Sequence, residues 1–505
     1  MRGINTSNRH TRLVSAIQGR NGSMSIWWFV APVTAGLAAI LLLCIMRSPN
    51  QVLAAIVAYI NCVLGSVAIF HFARKNSPEA FIPVLSLFML LISWPLSSLY
   101  FAIFAPEATY NLSFCTVDFL AGNLRVQMCV FLFLMCYLPI VIWALRIPAS
   151  GPAGYVRSPG RTANYVAVFG ISIIFADILS KLVNIPSAVV YIINGLWLYF
   201  CGALLVPGAL FTFMNKRTKI FLAVTISLAV FFFTLGNGRG MAIRPCAFVL
   251  FGILFLSKLE PKTKLLILLI GILCFPVYVV IGNTTRTLLG RQGYTNLAVR
   301  FDALQNWQKA ARNESFLGQT FGRLSYVGGQ RIITATPEEY PYLELDPIKY
   351  SKELCLSLLP GAIVHSGSCY RGSSILNSYG LTVNDKTSVE VSMLGSFWLL
   401  GGYAAIFFGS MAEGLLQAIL IAVVRRAGRI DSMKRLFLLA VLGPFLIASS
   451  SQDFISQCRS FLWCIIIGSV AYRLLSLYTG QPIYSQRKRK FKSAYGSTSE
   501  AGRRP

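Results

Sequence analysis

The sequence predicts an all-α, polytopic integral membrane protein of about twelve transmembrane helices with one large, partly helical external loop. Three observations carry that prediction. Of the 505 residues, 55% are hydrophobic and only 12% are charged, about half the charged share of an ordinary soluble chain, and the mean hydropathy is +0.63. The apolar residues fall in blocks of about 20, the length needed to cross roughly 30 Å of hydrocarbon. The formal net charge of +27 is spread between those blocks rather than gathered on one basic face, so it indicates topology and not nucleic-acid binding. A soluble multidomain enzyme is excluded by the same composition. Twelve cysteines in 505 residues are too dilute for a disulfide scaffold, and with no CxxC pair or His/Cys cluster at ligand spacing neither a metal nor a cofactor is expected.

The expected spans, in order, cover 26–46, 51–72, 80–104, 126–145, 163–183, 187–213, 217–235, 241–257, 262–281, 402–424, 435–450 and 459–476. The eighth and eleventh are short and the sixth is long. A basic leader, residues 1–25 with Arg2, Arg9, Arg12 and Arg20, precedes the first run. That run has no small-residue cleavage site and is too long for a signal peptide's apolar core, so it is expected to stay as a signal anchor. With the N-terminus in the cytoplasm, the cytoplasmic segments collect Arg74 and Lys75, then Arg146, Arg157 and Arg161, then Lys216, Arg217 and Lys219, then Lys258, Lys262 and Lys264. Arg425, Arg426, Arg429, Lys434 and Arg435 follow, and a basic tail at 477–505 carries the run from Arg487 to Lys492. Short outer loops are nearly free of Lys and Arg, as the positive-inside rule demands, and both termini are expected inside. Nearly all of the excess positive charge is thereby a topological signal.

Between spans one to nine (26–281) and the last three lies the exception, residues 283–392, expected outside the membrane with eleven basic and nine acidic residues. Asn296 is suited to cap an amphipathic stretch that places Leu297, Phe301, Leu304 and Ala311 on one side and ends near Asn313. A second helix is expected from Pro347 to Leu359, with Pro341 before it and Pro360-Gly361 stopping it. Loops of this length are usually functional when they are folded. The large loop has no counterpart in the first half, which counts against a transporter built from repeated halves.

The residues able to carry chemistry cluster at the outer face. Span seven ends in Asn237-Gly238-Arg239-Gly240, and span eight opens on Arg244-Pro245. A helix N-terminus with two arginines beside it is an anion site suited to phosphate; the alternative is that both arginines snorkel to lipid headgroups. Arg286, Arg291 and Arg300 follow span nine, and Arg323 and Arg331 come later in the loop. Singly each reads as a solvated charge; together they make a cationic surface able to grip phosphate bidentately. In span five Asp177 and Lys181 have the acid-first spacing of a helical ion pair, which leaves a functional and a structural role both open. Glu413 in span ten has no partner visible in the sequence. The outer candidates for proton transfer are His365, Glu390, Asp453, Glu338, Glu339, Glu344 and Asp346. Cys355 and Cys369 are spaced for a disulfide in an oxidising compartment.

The layout, the Arg239 turn, and the segments Gly322-Arg323-Leu324, Thr336-Pro337 and Leu358-Leu359-Pro360 resemble the O-antigen polymerases of the Wzy type. The likeness is densest at Thr387-Ser388-Val389-Glu390, Met393-Leu394-Gly395-Ser396-Phe397-Trp398, Gly401-Gly402-Tyr403, Gly409 and Glu413-Gly414, a glycine-rich entry (393–476 with the spans that follow) after the big loop. It covers about residues 235 to 425; Leu359-Pro360-Gly361 departs from it where a Pro-Arg type element is expected. The resemblance implies the architecture of GT-C-like membrane glycosyltransferases in a bacterial inner membrane. It implies an undecaprenyl-pyrophosphate-linked oligosaccharide donor and acceptor, membrane lipids around them, and a flippase and a chain-length regulator as accompanying partners. In that chemistry Arg239 and Arg244 would hold the donor diphosphate. Arg286, Arg291, Arg323 and Arg331 would close over it or hold the second lipid, and His365 or Glu390 would take the acceptor proton. An O-antigen ligase would use the same features, a flippase would bind the same ligands without transfer, and a basic-tailed membrane scaffold would do neither.

Overall fold

The computed structural model describes residues 49–74, 77–104, 109–112, 115–118, 123–147, 159–182, 202–235, 246–257, 259–260, 262–271, 327–334, 346–357, 392–450 and 452–478. The first span expected from the sequence, the amphipathic stretch at 296–313 and both chain ends lie outside them. What is described is helical apart from one ribbon, β1 (Thr109–Leu112) paired antiparallel with β2 (Cys115–Asp118), Thr109 opposite Asp118. The sequence had offered only a loop there. Among the described residues five helices are long and apolar enough to cross a membrane: Val52–Arg74, Pro78–Tyr100, Leu124–Arg146, Met393–Arg429 and Phe454–Leu474. Large apolar side chains stand outward, with Trp143 62% and Phe408 68% exposed, while Asn61, Gln127, Glu413 and Gln417 are buried. That inversion is what lipid contact requires.

The first helix, α1 (Pro49–Arg74), opens on a proline and packs on α4 (Asn123–Arg146). There the Asn61 amide donates to the Gln127 carbonyl at 2.9 Å, and Gln127 Nε2 donates to Ser98 Oγ at 2.9 Å. Between them lie α2 (Phe81–Leu91) and α3 (Ser97–Phe104), joined by a π-helical turn at Ile92–Leu96 that contains Pro95. Proline removes a backbone donor within that turn, and just beyond it the Ser97 hydroxyl donates to Ser93 O at 2.9 Å. The fifth helix, α5, covers Pro159–Leu182.

The sixth expected span departs from a single helix. Within 202–213 it is a short α6 (Leu205–Ala209) and a 3-10 turn at Phe211–Phe213. Pro207 interrupts the bonding, and Gly208 lies so close to Val249 O that a side chain has no room. Next come α7 (Lys216–Leu235), α8 (Cys246–Leu256, ending in a π turn) and α9 (262–271). Two helices belong to the large loop, α10 (Val327–Thr334) and α11 (Pro347–Ser357). The second matches the helix expected from Pro347; the first was not anticipated.

The last three helices organise the site. α12 (Met393–Ile430) contains a sharp break at Gly401 (φ 153°, ψ 34°) and Gly402 (φ 59°, ψ −137°), backbone conformations that glycine alone adopts freely. Residues 393–400 fold back on the rest, because a Cβ placed on Gly409 would lie 2.7 Å from the Phe397 ring. In one straight helix those two residues would stand about 18 Å apart. Ser392 caps the folded-back piece by accepting from Gly395 N at 3.2 Å. Then α13 (Ser432–Ala448) and α14 (Phe454–Tyr478) form an antiparallel pair.

The helix ends gather at two poles, as alternating spans require. At one pole the Arg435 guanidinium pairs with the buried Glu79 carboxylate at 3.4 Å, Arg425 donates to Ala144 O at 3.1 Å, and the Tyr472 hydroxyl donates to Asp431. These are ends that the sequence assigns to the cytoplasm. The other pole carries the starts of α4, α12 and α14 together with the loop helices.

Candidate functional site

Rise along the helices puts a step in that second pole. Counting from the Asp431–Tyr472 contact, Glu413 lies about 27 Å up α12 and Asp453 about 28 Å up α14, so they share one level. Above it α12 continues about 16 Å to Gly402, and α4 continues about 21 Å from Tyr137 to Asn123. The turn between α13 and α14 therefore lies sunk below its taller neighbours. This is the physical meaning of the short eleventh span.

The floor of the step is polar. Tyr137 on α4 donates its hydroxyl to Gln417 Oε1, and Gln417 Nε2 donates to Glu413 Oε1 at 2.9 Å and to Ser86 Oγ on α2 at 3.0 Å. Ser449 Oγ lies 3.3 Å from Ser86 Oγ, and Gln457 Nε2 donates to Ser449 O at 2.6 Å. Met393 N donates to Ser450 O at 3.3 Å, which ties the folded-back start of α12 to this turn. Three buried acceptors receive nothing: Glu413 Oε2, Gln452 Oε1 and Gln457 Oε1. Unsatisfied buried oxygens in one region mark a place where structure alone does not account for the residues.

The loop helices bound the step. α11 packs on α14 and brings Tyr350 beside Asp453 and Cys458. Burial pushes the Tyr350 phenol above its ordinary value, and the negative fields of Asp453, Cys458 and Glu353 add to the effect. α10 lies against the tops of α12 and α4, where Arg125 Nη1 donates to Ile333 O at 3.3 Å and the guanidinium stands 5.7 Å from the Trp398 ring centroid. The Trp398 ring in turn meets Tyr403 edge-on at 5.1 Å across the glycine break. An arginine and two aromatic rings thus frame the rim of this pole.

Two carboxylates considered for proton transfer prove to be helix caps. Asp346 Oδ1 accepts from Ile348 N at 2.9 Å and Lys349 N at 3.1 Å at the start of α11. Asp453 accepts from Ser456 N and Ser456 Oγ, both at 2.8 Å, at the start of α14. Arg331 falls on α10, on the outer rim, and Asp177 and Lys181 fall on one continuous helix, α5, which keeps their four-residue spacing. Arg239, Arg244, Arg286, Arg291, Arg300, Arg323, Glu338, Glu339, Glu344, His365, Cys369 and Glu390 lie outside the described residues, whereas Cys355 is exposed on α11.

Sequence reasoning passed over Arg125, although the signal was present: a basic residue at an outer helix end breaks the orientation rule as Arg239 does. It also passed over the in-span amides of Asn61, Gln127 and Gln417, whose type alone marks them as needing partners in lipid. In comparisons with known proteins, no family model, no curated protein and no solved structure matches this chain.

Proposed function

We propose that the protein is a membrane glycosyltransferase of the bacterial cytoplasmic membrane, with both termini cytoplasmic, that polymerises undecaprenyl-pyrophosphate-linked oligosaccharide repeat units at the periplasmic face. The observation that carries this reading is the stepped outer pole: loop helices seated over a sunken polar floor, rimmed by Arg125 and aromatic rings. A lipid-linked glycan presents three chemistries at once. Its tail needs lipid, its diphosphate needs cations at the membrane surface, and its sugars need a folded external wall. The apolar belt, the outer arginines and the large loop supply one each.

In the reaction the bond between the donor's anomeric carbon and its phosphate oxygen breaks, and a bond to a hydroxyl oxygen of the acceptor unit forms. The hydroxyl proton goes to His365 or Glu390, and undecaprenyl diphosphate leaves with the electron pair. Negative charge grows on that leaving group, so Arg239 and Arg244, with the α8 N-terminus, stabilise the transition state more than the ground state. Arg286, Arg291, Arg323 and Arg331 close over the diphosphate or hold the second lipid. Asp177 and Lys181 belong to the intramembrane frame.

Deleting the protein tests this. The expected result is a cell surface capped with single repeat units and lacking long chains. Accumulation of undecaprenyl-linked polymer would instead identify a ligase, and repeat units trapped on the cytoplasmic leaflet a flippase.

A further inference from the structure

Beneath the step, α2, α4, α12 and the turn after α13 border a cavity of about 10 Å³ lined by Ser86, Tyr137, Met393, Glu413, Gln417, Ser449 and Ser450. That is space for about one water-sized particle. Four of the hydrogens around it are already committed. The two amide hydrogens of Gln417 go to Glu413 Oε1 and Ser86 Oγ, the Tyr137 hydroxyl goes to Gln417 Oε1, and the Ser449 hydroxyl goes to Leu446 O at 2.8 Å. Glu413 is 1% exposed, and its Oε2 receives no hydrogen bond. What remains facing the cavity is the unpartnered Glu413 Oε2, with the hydroxyl oxygens of Ser86 and Ser449 beside it.

The electrostatics point the same way. Toward Glu413, α4 presents Tyr137, and α14 presents Cys458 with Asp453 beyond it; each of these is neutral or negative. α2 contributes Ser86, and the turn after α13 contributes Ser449 and Ser450, none of them charged. α10 meets α12 at the level of Arg125, and Glu79 and Arg435 pair at the opposite pole. Along α4 and α12 the nearest arginines, Arg125 and Arg425, stand about 18 Å above Tyr137 and below Glu413 respectively, and on α14 the nearest, Arg459, stands about 9 Å below the level of Asp453. A carboxylate buried among apolar helices must be paired or neutralised. One carboxylate supplies one negative charge, and hydroxyl, amide and carboxylate oxygens are hard ligands.

We infer that the cavity is a binding site for one small monovalent cation, a proton carried with one water or a sodium ion, held by Glu413 with Ser86 and Ser449. Occupancy links four helices at the floor of the outer step, so binding must stabilise the fold. The inference needs no glycan chemistry, and it survives or fails independently of the transferase proposal.

The test is thermal unfolding of the full-length protein in detergent, with sodium chloride exchanged for choline chloride at constant ionic strength and over a series of pH values. A sodium site raises the wild-type melting temperature with sodium. A proton site lowers it as pH rises, because deprotonation leaves the charge unpaired. In either case Glu413→Gln, which keeps the shape and removes the charge, is expected to be insensitive to the same variable. Ser449→Ala and Ser86→Ala, each losing one oxygen, are expected to shift the half-point about fivefold, and they carry the test if Glu413→Gln does not fold. Wild-type melting indifferent to both variables, Glu413→Gln responding as wild type does, or serine variants with unmoved half-points would overturn the proposal.

Discussion

The two poles of the molecule treat their carboxylates differently. At the pole of Arg74 and Arg146, Glu79 meets Arg435, Asp431 caps α13 while accepting from Tyr472, and Arg425 holds the Ala144 carbonyl. Glu79 and Asp431 each have a cation or donors, although Arg425 Nε is buried without a partner. At the outer pole Glu413 Oε2, Gln452 Oε1 and Gln457 Oε1 are buried without any. Orphaned groups cost stability, so the acceptors left open around Glu413 need a partner that the described residues do not supply.

The sharpest way to break that contrast is by activity. Arg239→Ala is expected to abolish chain elongation while the protein remains in the membrane, whereas Glu79→Ala leaves chain length unchanged; both are read from the length distribution of surface glycan. Elongation by Arg239→Ala would remove the diphosphate role, and loss of elongation in a stably folded Glu79→Ala would erase the difference between the poles.

Stability effects come next. Gly402→Val forces a β-branched residue into φ 59°, ψ −137° and is expected to cost about 3 kcal/mol, enough to lower the melting temperature by several degrees and free the folded-back start of α12. Glu79→Ala strands Arg435, whose side chain is 21% exposed, so its expected cost is about 2 kcal/mol rather than that of a fully buried pair. Tyr472→Phe removes one donor to Asp431 at an expected cost of about 1 kcal/mol.

Tyr350 supplies a pH test confined to the outer pole. Its phenol is raised in the folded state, so the folded protein holds the proton longer than the unfolded chain does. The contribution is full below the ordinary tyrosine range and is lost as pH rises from about 10 upward. Alkaline melting curves should therefore fall more steeply for wild type than for Tyr350→Phe. Parallel curves would show that α11 does not bury this side chain.

Membrane helices were legible in the sequence because lipid imposes a length and a composition that few other environments demand. α1, α4 and α14 follow from uninterrupted apolar runs, and α11 follows from Pro347, with Pro341 before it and Pro360-Gly361 as the expected stop. The fold-back at Gly401-Gly402 was not legible. A glycine pair states that the chain can turn, but only the Phe397 contact with Gly409 states that it does. The broken α6 hides for the same reason, since Pro207 and Gly208 matter through Val249 on another helix.

Of the site, the sequence showed the residue types and not their company. Glu413 was visible as an acid in a span, yet its relation to Tyr137, Ser86 and Ser449 joins four helices that are far apart in the chain. Asp346 and Asp453 show the converse: carboxylates that suit catalysis by type are used by the backbone as caps.

The central claim, that this membrane protein joins lipid-linked glycans at its outer pole, is tested most directly by reconstituting the purified protein with a single undecaprenyl-pyrophosphate-linked repeat unit. The expected product is a ladder of longer lipid-linked chains, with one undecaprenyl diphosphate released for each bond formed. Repeat units recovered unchanged, with no undecaprenyl diphosphate released by a folded protein, would contradict it.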